Sequence, residues 1–288
     1  MILTLLSDFG ISDVYVAVMK GTIAQINSSL TVIDLTHHVP PQDIATARFH
    51  LMSAYPYFPV GTVHVAVVDP GVGSQRRAIA IQLESGFLVA PDNGLVSGVL
   101  SQQGALAAVE LTNPSYWRTS SPSTTFHGRD IFAAAGAHLT SGVPLQELGT
   151  GIDLSTIVQL PIPDLIRTGS TVQGVIQAID HFGNLITTIP GSDVAGKSWS
   201  VRIENSIYSG QATYSESEPG EILALVGSHG WVEVAANRAN AQTHLNLKWG
   251  SVVSVMIDED QRLPIELTNG SNTGNKSDRL TTKVGNDR

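Results

Sequence analysis

Val67-Val68-Asp69-Pro70-Gly71-Val72-Gly73-Ser74-Gln75-Arg76-Arg77 decides how the rest of the chain is read. The apolar run Val63–Val68, broken only by His64 and Ala66, reads as a buried strand. It carries Asp69 to the strand's end, where Pro70, Gly71 and Gly73 force a tight turn that brings Arg76 back toward Asp69. In an open α/β sheet the ligand crevice lies at the carboxyl ends of the strands. A carboxylate and a guanidinium held there can orient and polarise a small nucleophile. The competing reading is an ion pair that only pins the loop, since structural ion pairs also perturb ionisation.

Outward from this stretch, strand and helix patterns alternate. Ile2–Leu6 reads as a strand closed by the polar turn Ser7-Asp8-Phe9-Gly10, and Tyr15–Ile26 carries helical spacing through Val16, Met19, Ile23 and Ile26. Thr31–Leu35 is a β-branched strand followed by Thr36-His37-His38. Asp43–Tyr55 is helix-like with Asp43 as N-cap. Ala78–Leu83 and Phe87–Ala90 form a hairpin about Glu84-Ser85-Gly86. A short helix is expected around Leu95–Leu100, a strand at Ala107–Leu111 and an Ala-rich helix at Gly128–Leu139. The alternation predicts an N-terminal Rossmann-like α/β domain, residues 1–160, with a mostly parallel sheet covered on both faces.

From about Thr168 the pattern changes to short strands at close intervals: Val172–Asp180, Leu185–Ile189, Ser198–Val201, Ile222–Val226, Trp231–Ala235 and Val252–Ile257. These predict a smaller C-terminal β-barrel or sandwich over residues 168–267. Pro144–Pro163 reads as the connector, and the polar, Gly-rich residues 268–288 as a flexible tail.

Only 14% of the 288 residues are charged and 42% are hydrophobic, which suits compact domains with ordinary cores. A net charge of −9 leaves no Lys/Arg stripe to meet phosphates, so nucleic acid is not an expected partner. The absence of Cys removes disulfides, thiolate catalysis and Cys-ligated metals, and suits a reducing, cytoplasmic setting. Met1–Asp8 has no basic n-region, and no apolar run is long enough to span a bilayer, so a membrane is not expected either.

Four polar turns belong to the first domain: Ser7-Asp8-Phe9-Gly10 with Asp13, His37-His38, Asp69 with Arg76, and Phe126-His127-Gly128-Arg129-Asp130. Parallel strands bring such turns to one edge, where sites are usually built. His127 precedes a helix start, where free N–H groups and the dipole favour an anion; a capping role is the alternative. Asp8 and Asp13 suit ribose hydroxyls, or, for Asp13, a helix cap. Adjacent His37 and His38 in an extended segment point opposite ways and make a poor metal pair. No dinucleotide, Walker or zincin motif is present. In the second domain, Asp180-His181-Phe182-Gly183-Asn184 offers an aromatic face and an amide able to read a base edge, though Gly-Asn is also ordinary turn chemistry. Gly227-Ser228-His229-Gly230 and Ala236-Asn237-Arg238 supply further polar loops.

Taken in order, Leu6–Gly10, Val32–His37, Val68–Gly73 with Arg76-Arg77, Ala90–Gly94, Phe126–Asp130, Asp180-x-Phe182-Gly183-Asn184 and Gly227-Ser228-x-Gly230 resemble the S-adenosyl-L-methionine hydroxide adenosyltransferases, water-using relatives of fluorinase and chlorinase. The resemblance implies an α/β domain followed by a β domain, and a homotrimer whose site lies between one subunit's N-terminal domain and its neighbour's C-terminal domain. It implies S-adenosyl-L-methionine as substrate, with no metal or other cofactor. It places a catalytic triad on Asp69, Arg76 and His127. Ribose contacts fall on Asp8 and Asp13, adenine contacts on Phe182, Asn184, Asn237 and Arg238, and methionine contacts on Asp180 and Ser228.

The halide-using relatives resemble one another in carrying Tyr at the Asp69 position and Thr in the following turn. Asp69 and Val72 therefore favour water, because a carboxylate repels a halide but accepts a hydrogen bond from water. Gln42 stands where fluorinase has Trp, and His229 where it has Arg. Three other readings remain open on the residues alone: a halogenase, a metal-dependent hydrolase built on Asp8, His37, Asp69 and His127, and an S-adenosylmethionine or adenosine binding protein without turnover.

Overall fold

In a computed structural model that describes residues 1–258, the first half runs β1 (Ile2–Ser7), α1 (Tyr15–Ile26), β2 (Thr31–Thr36), α2 (Ile44–Ala54), β3 (Thr62–Val67), β4 (Ala78–Gln82), β5 (Gly86–Pro91), α3 (Ser97–Leu100), β6 (Ala107–Glu110), α4 (Ala133–Thr140) and β7 (Thr150–Gly151). Its seven strands form one sheet in the order β2-β1-β3-β5-β4-β6-β7. Parallel pairing joins β2, β1, β3 and β5, and the antiparallel β4 turns β6 back to the same direction, so five of the seven strands point one way. The sheet is mostly parallel in strand direction, as the alternation predicts.

The nearly continuous apolar run around β3, interrupted by His64, has its reason in the layers. Val63, Val65 and Val67 enter the core beneath α1 and α4, with Leu3, Met19 and Phe132. Ala66 and Val68 enter the opposite core beneath α2 and α3, with Leu51 and Val99. A strand covered on both faces cannot alternate apolar with polar residues. Gly136 permits the closest helix approach, since a Cβ there would lie 2.4 Å from Val65 Cγ2.

The second half runs β8 (Ile166–Thr168), β9 (Thr171–Ile179), β10 (Leu185–Pro190), β11 (Trp199–Ile203), β12 (Ser206–Ser209), β13 (Ile222–Val226), β14 (Trp231–Ala236), α5 (Ala241–Leu245) and β15 (Val252–Ile257). The sheet order is β12-β11-β15-β9-β10-β14-β13, with β8 added on β9. All its strand pairings are antiparallel. A Gly210–Ala224 bridge nearly closes it, giving a barrel-like second domain around Ile176, Val201, Val234 and Val255.

Phe49 and Met52 of α2 pack against Ala178 and Ile186 of the second sheet. The connector is tied down by Pro91-Asp92-Asn93-Gly94. The Asp92 carboxylate accepts from Arg77 Nε and Val158 N, both at 2.8 Å, while Arg77 Nη2 donates to Thr156 O at 2.6 Å.

Several local expectations change. Asp43 does cap α2, accepting from Thr46 N at 2.9 Å. Asp13 does not cap α1; Val14 holds that position and no side chain bonds there. The helix expected at Gly128 opens as a wide π-type turn, Gly128–Phe132, before α4. Strands β7, β8 and β12 and helix α5 are too short and too exposed to leave a periodic trace. The expected end of the second domain at 267 and the tail 268–288 lie outside the described residues.

Candidate active site

The carboxyl edge of the first sheet holds a cavity of about 400 Å³. Asp69 follows β3, and Arg76 returns to it through the Pro70–Gly73 turn. Arg76 Nε donates to Asp69 Oδ1 at 2.9 Å and its Nη2 donates to Asp69 Oδ2. The same Nη2 donates to His127 Nδ1 at 2.8 Å. Asp69, Arg76 and His127 therefore form one connected group, with Arg76 in the middle. Its guanidinium lies 5.1 Å from the Phe132 ring centre, a cation–π contact that fixes the plane of the fork.

Because the Arg76 group can only donate, Nδ1 of His127 must accept, and this network assigns the ring proton to Nε2. Burial lowers the His127 pKa from its usual value, and the Arg76 charge lowers it further against the opposing pull of Asp69 and Asp130.

The loop that delivers His127 is clamped from below. Buried Asp130 takes Arg129 Nε at 2.7 Å, Ser123 N at 2.8 Å and Arg118 Nε at 2.5 Å. Burial raises its pKa, but these bonds outweigh burial and hold the carboxyl well below the usual carboxylate range. Gly73, at φ +75°, seats the Asp69–Arg76 turn on that loop; a Cβ there would lie 2.3 Å from Thr124 O. Part of the wall is aromatic. Phe9, Tyr15 and Phe126 meet at centroid separations of 5.3–5.9 Å.

Asp8 lines this cavity, and its Oδ2 accepts from Gln42 N at 2.8 Å. Gln42 has φ +67°, so Asp8 holds a strained backbone beside the cavity. Asp13 is exposed and stands outside the lining. His37 and His38 separate: His37 is buried against Ser7 Oγ at 2.7 Å and Asp34 at 3.1 Å, while His38 lines a cleft of about 650 Å³ between the two sheets. Among the described residues no three His, Cys, Asp or Glu side chains are grouped to hold a metal ion.

A second cavity, of about 600 Å³, belongs to the second sheet and is lined by Phe182, Asn184, Tyr214 and Arg238. It shares no lining residue with the first. Phe182 is 71% exposed. Gly183 sits at φ +83° against Asn240, which turns the loop tightly enough for Asp180 to accept from Phe182 N at 2.9 Å and from Asn184 N at 2.8 Å. Asp180 Oδ2 also takes Asn184 Nδ2 at 2.9 Å. The Asp180 carboxylate thus shapes the loop that presents Phe182 and Asn184, and it lines the cleft between the sheets rather than the second cavity. Asn237 donates to Ser217 O at 2.7 Å and ties down the segment carrying Tyr214. Ser228 is exposed on its loop.

Two family models match the chain. That of the SAM hydroxide adenosyltransferase N-terminal domain covers residues 3–149, and that of the C-terminal domain covers residues 174–254. The chain belongs to the SAM hydroxide adenosyltransferase family. An (R)-S-adenosyl-L-methionine hydrolase of Salinispora tropica is 40% identical over 250 residues, spanning 86% of this chain and 95% of the relative. One from Thermus thermophilus is 39% identical over 258 residues, spanning 87% and 98%. A fluorinase of Actinoplanes is 28% identical over 291 residues, spanning 88% and 97%. The crystal structure of an uncharacterized conserved protein from Thermotoga maritima superposes with a TM-score of 0.82 at 33% identity, covering 89% of this chain and all of that one.

For this member of the family, sequence reasoning missed the cavity walls. Tyr15 and Thr125 line the first cavity, and Tyr214 and Asn240 the second. Tyr15 had a signal, an aromatic at the first position of a helix whose inward stripe starts one residue later. Tyr214 had none, because its segment has no periodicity.

Proposed function

We propose that this hydroxide adenosyltransferase hydrolyses S-adenosyl-L-methionine to adenosine and L-methionine, with Asp69, Arg76 and His127 as its catalytic group. The observation that carries the reading is that Asp69 and His127, both in the wall of the first cavity, are joined through Arg76. A water there meets an acceptor, Asp69, and a donor, the Nε2–H of His127. Those two bonds orient one lone pair of its oxygen toward a ribose C5′.

The C5′–O bond forms as the C5′–S bond breaks, and the sulfur keeps the bonding pair as the neutral thioether of methionine. The water's proton passes to Asp69 and then to solvent. No acid is needed at the leaving group, because a sulfonium departs uncharged. As the proton moves to Asp69, the carboxylate and the sulfonium lose their charges together, so the aromatic wall of Phe9, Tyr15 and Phe126 favours the step by excluding water. The chemistry calls for no metal or other cofactor, and activity is expected to be unchanged in EDTA.

In this reading Asp8 receives the ribose hydroxyls with Asp13 nearby. Phe182 and Asn184 take the adenine, with backbone at Asn237 and Arg238 beside it. Asp180 and Ser228 face the methionine ammonium and carboxylate. We further propose a homotrimer in which a neighbour's second cavity closes over the first. Its support is that the two cavities share no residue and that Phe182 stands exposed. No helix among the described residues is long and apolar enough to cross a membrane, and the reading places the enzyme in the cytoplasm.

The deciding experiment is turnover in ¹⁸O-water with chloride present. Adenosine labelled at C5′ with release of methionine is expected; a chloro-nucleoside, or binding without turnover, would overturn the reading. The shared site has its own test. Asp69→Asn and Asn184→Ala proteins, mixed under subunit exchange, should turn over low substrate faster than either alone.

A further inference from the structure

Behind the second cavity lies a buried group that the proposed reaction does not use. Glu233, in the middle of β14, is 2% exposed, and a carboxyl group so placed needs partners for both oxygens. Its Oε1 accepts from the Tyr214 hydroxyl at 2.6 Å, and its Oε2 faces His229 Nε2 at 2.9 Å. His229 Nδ1 accepts from Trp231 N at 3.1 Å, so the network assigns the ring proton to Nε2 and makes it the donor to Glu233. Both nitrogens of His229 are therefore engaged inside the protein. The ring also packs edge-on against Phe49 of α2, at a centroid separation of 5.8 Å.

The two partners of Glu233 come from two different loops. Tyr214 is, with Phe182, one of the two aromatic rings lining the second cavity. His229 follows Ser228 directly. The glycine at 227 is dictated by this group: a Cβ there would lie 2.4 Å from both Glu233 Oε2 and His229 Nε2. Burial, and then the bond to Glu233, raise the Tyr214 pKa, which keeps its hydroxyl protonated as a donor.

We propose that Glu233 is a positioning residue of the substrate site: by gripping Tyr214 and His229 it fixes the aromatic wall of the second cavity and turns the Ser228 hydroxyl outward. It touches no substrate itself, and His229 is withdrawn from the substrate carboxylate, leaving that contact to Ser228 and the loop's N–H groups. The inference rests on the proposal that the second cavity receives the adenine and the Ser228 loop the methionine carboxylate of the substrate.

The test compares Glu233→Gln, Tyr214→Phe and the double variant in steady-state kinetics and in adenosine binding by calorimetry. Gln can accept one of the two bonds but presents an N–H to the other donor, and Phe keeps the ring while removing the hydroxyl. Each single variant is expected to raise KM about tenfold, as for loss of one hydrogen bond to a charged group, with kcat within about twofold. The double variant should be no worse than the poorer single. Unchanged KM in both singles, or a fall in kcat at unchanged KM, would overturn the inference. Should Glu233→Gln fail to fold, Tyr214→Phe decides by the same criterion. If the wild type binds adenosine but releases no methionine, the hydrolase reading falls. Weaker adenosine binding by Glu233→Gln would then still uphold the positioning role, and unchanged binding would overturn it.

Discussion

The two cavities of this chain are built on opposite principles. In the first, ionisable side chains bond to one another: Arg76 holds Asp69 and His127, and Asp130 clamps the loop beneath them. Around the second, polar side chains brace loops instead: Asp180 holds Phe182 N and Asn184 N, Asn240 holds Thr243 N, and Asn237 ties across to Ser217. What that cavity offers a ligand is two aromatic rings, the amides of Asn184 and Asn240, and Arg238. Coupled charges suit bond making, because they fix a reacting water without reorganising. Aromatic faces on braced loops suit recognition of a flat base. The contrast implies that damage to the first cavity should appear in kcat and damage to the second in KM.

The largest effect expected is at the triad. Asp69→Asn and Arg76→Ala should each lower kcat about 10²–10⁴-fold, in the range for losing a general base or an electrostatic partner. KM should stay within a few-fold; a rise in KM at constant kcat would erase the division between the cavities. Next is Phe182→Ala, for which loss of base stacking raises KM roughly ten- to a hundredfold, checked by the same kinetics and by adenosine calorimetry.

A smaller effect concerns acid. Burial and Arg76 lower the His127 pKa, and protonation would put a second donor against Arg76 and break the link. The acid limb of kcat/KM should therefore lie below the usual histidine value of about 6.5. An acid limb at or above that value, abolished by His127→Asn, would contradict the arrangement.

The last prediction separates the regions by stability. His64 of β3 is buried, which lowers its pKa to about 4, and it is bonded to Thr4 Oγ1 at 2.8 Å. The unfolded chain takes up this proton near pH 6.5 and the folded one only near 4, so the stability present above 6.5 is lost as pH falls between those values. The loss is on the order of 3 kcal/mol. Denaturant melts should show that slope, and His64→Asn should flatten it.

Much of this was legible in the chain because it is written locally. Period-two and period-3.6 patterns and Gly/Pro punctuation place β1, α1, β3 and the β4–β5 hairpin within a residue or two. The Asp69-to-Arg76 spacing can be read as a turn closing on itself, and His127 as the residue ahead of a helix. Short exposed strands such as β8 and β12 left no pattern to read, because few of their residues enter a core.

Sequence by itself determined the alternation of elements, the turn that returns Arg76 to Asp69, and the family to which the chain belongs. Tertiary structure alone decided that His127, 51 residues away, bonds to Arg76 rather than to Asp69. It also decided that His37 turns inward to Ser7 while His38 lines a different cleft, and that Tyr214 and His229 share one buried acid. Local chemistry sets where a chain turns. Sheet order and layer packing set which turns meet, and a buried polar group takes whatever partner the packing brings within hydrogen-bond distance.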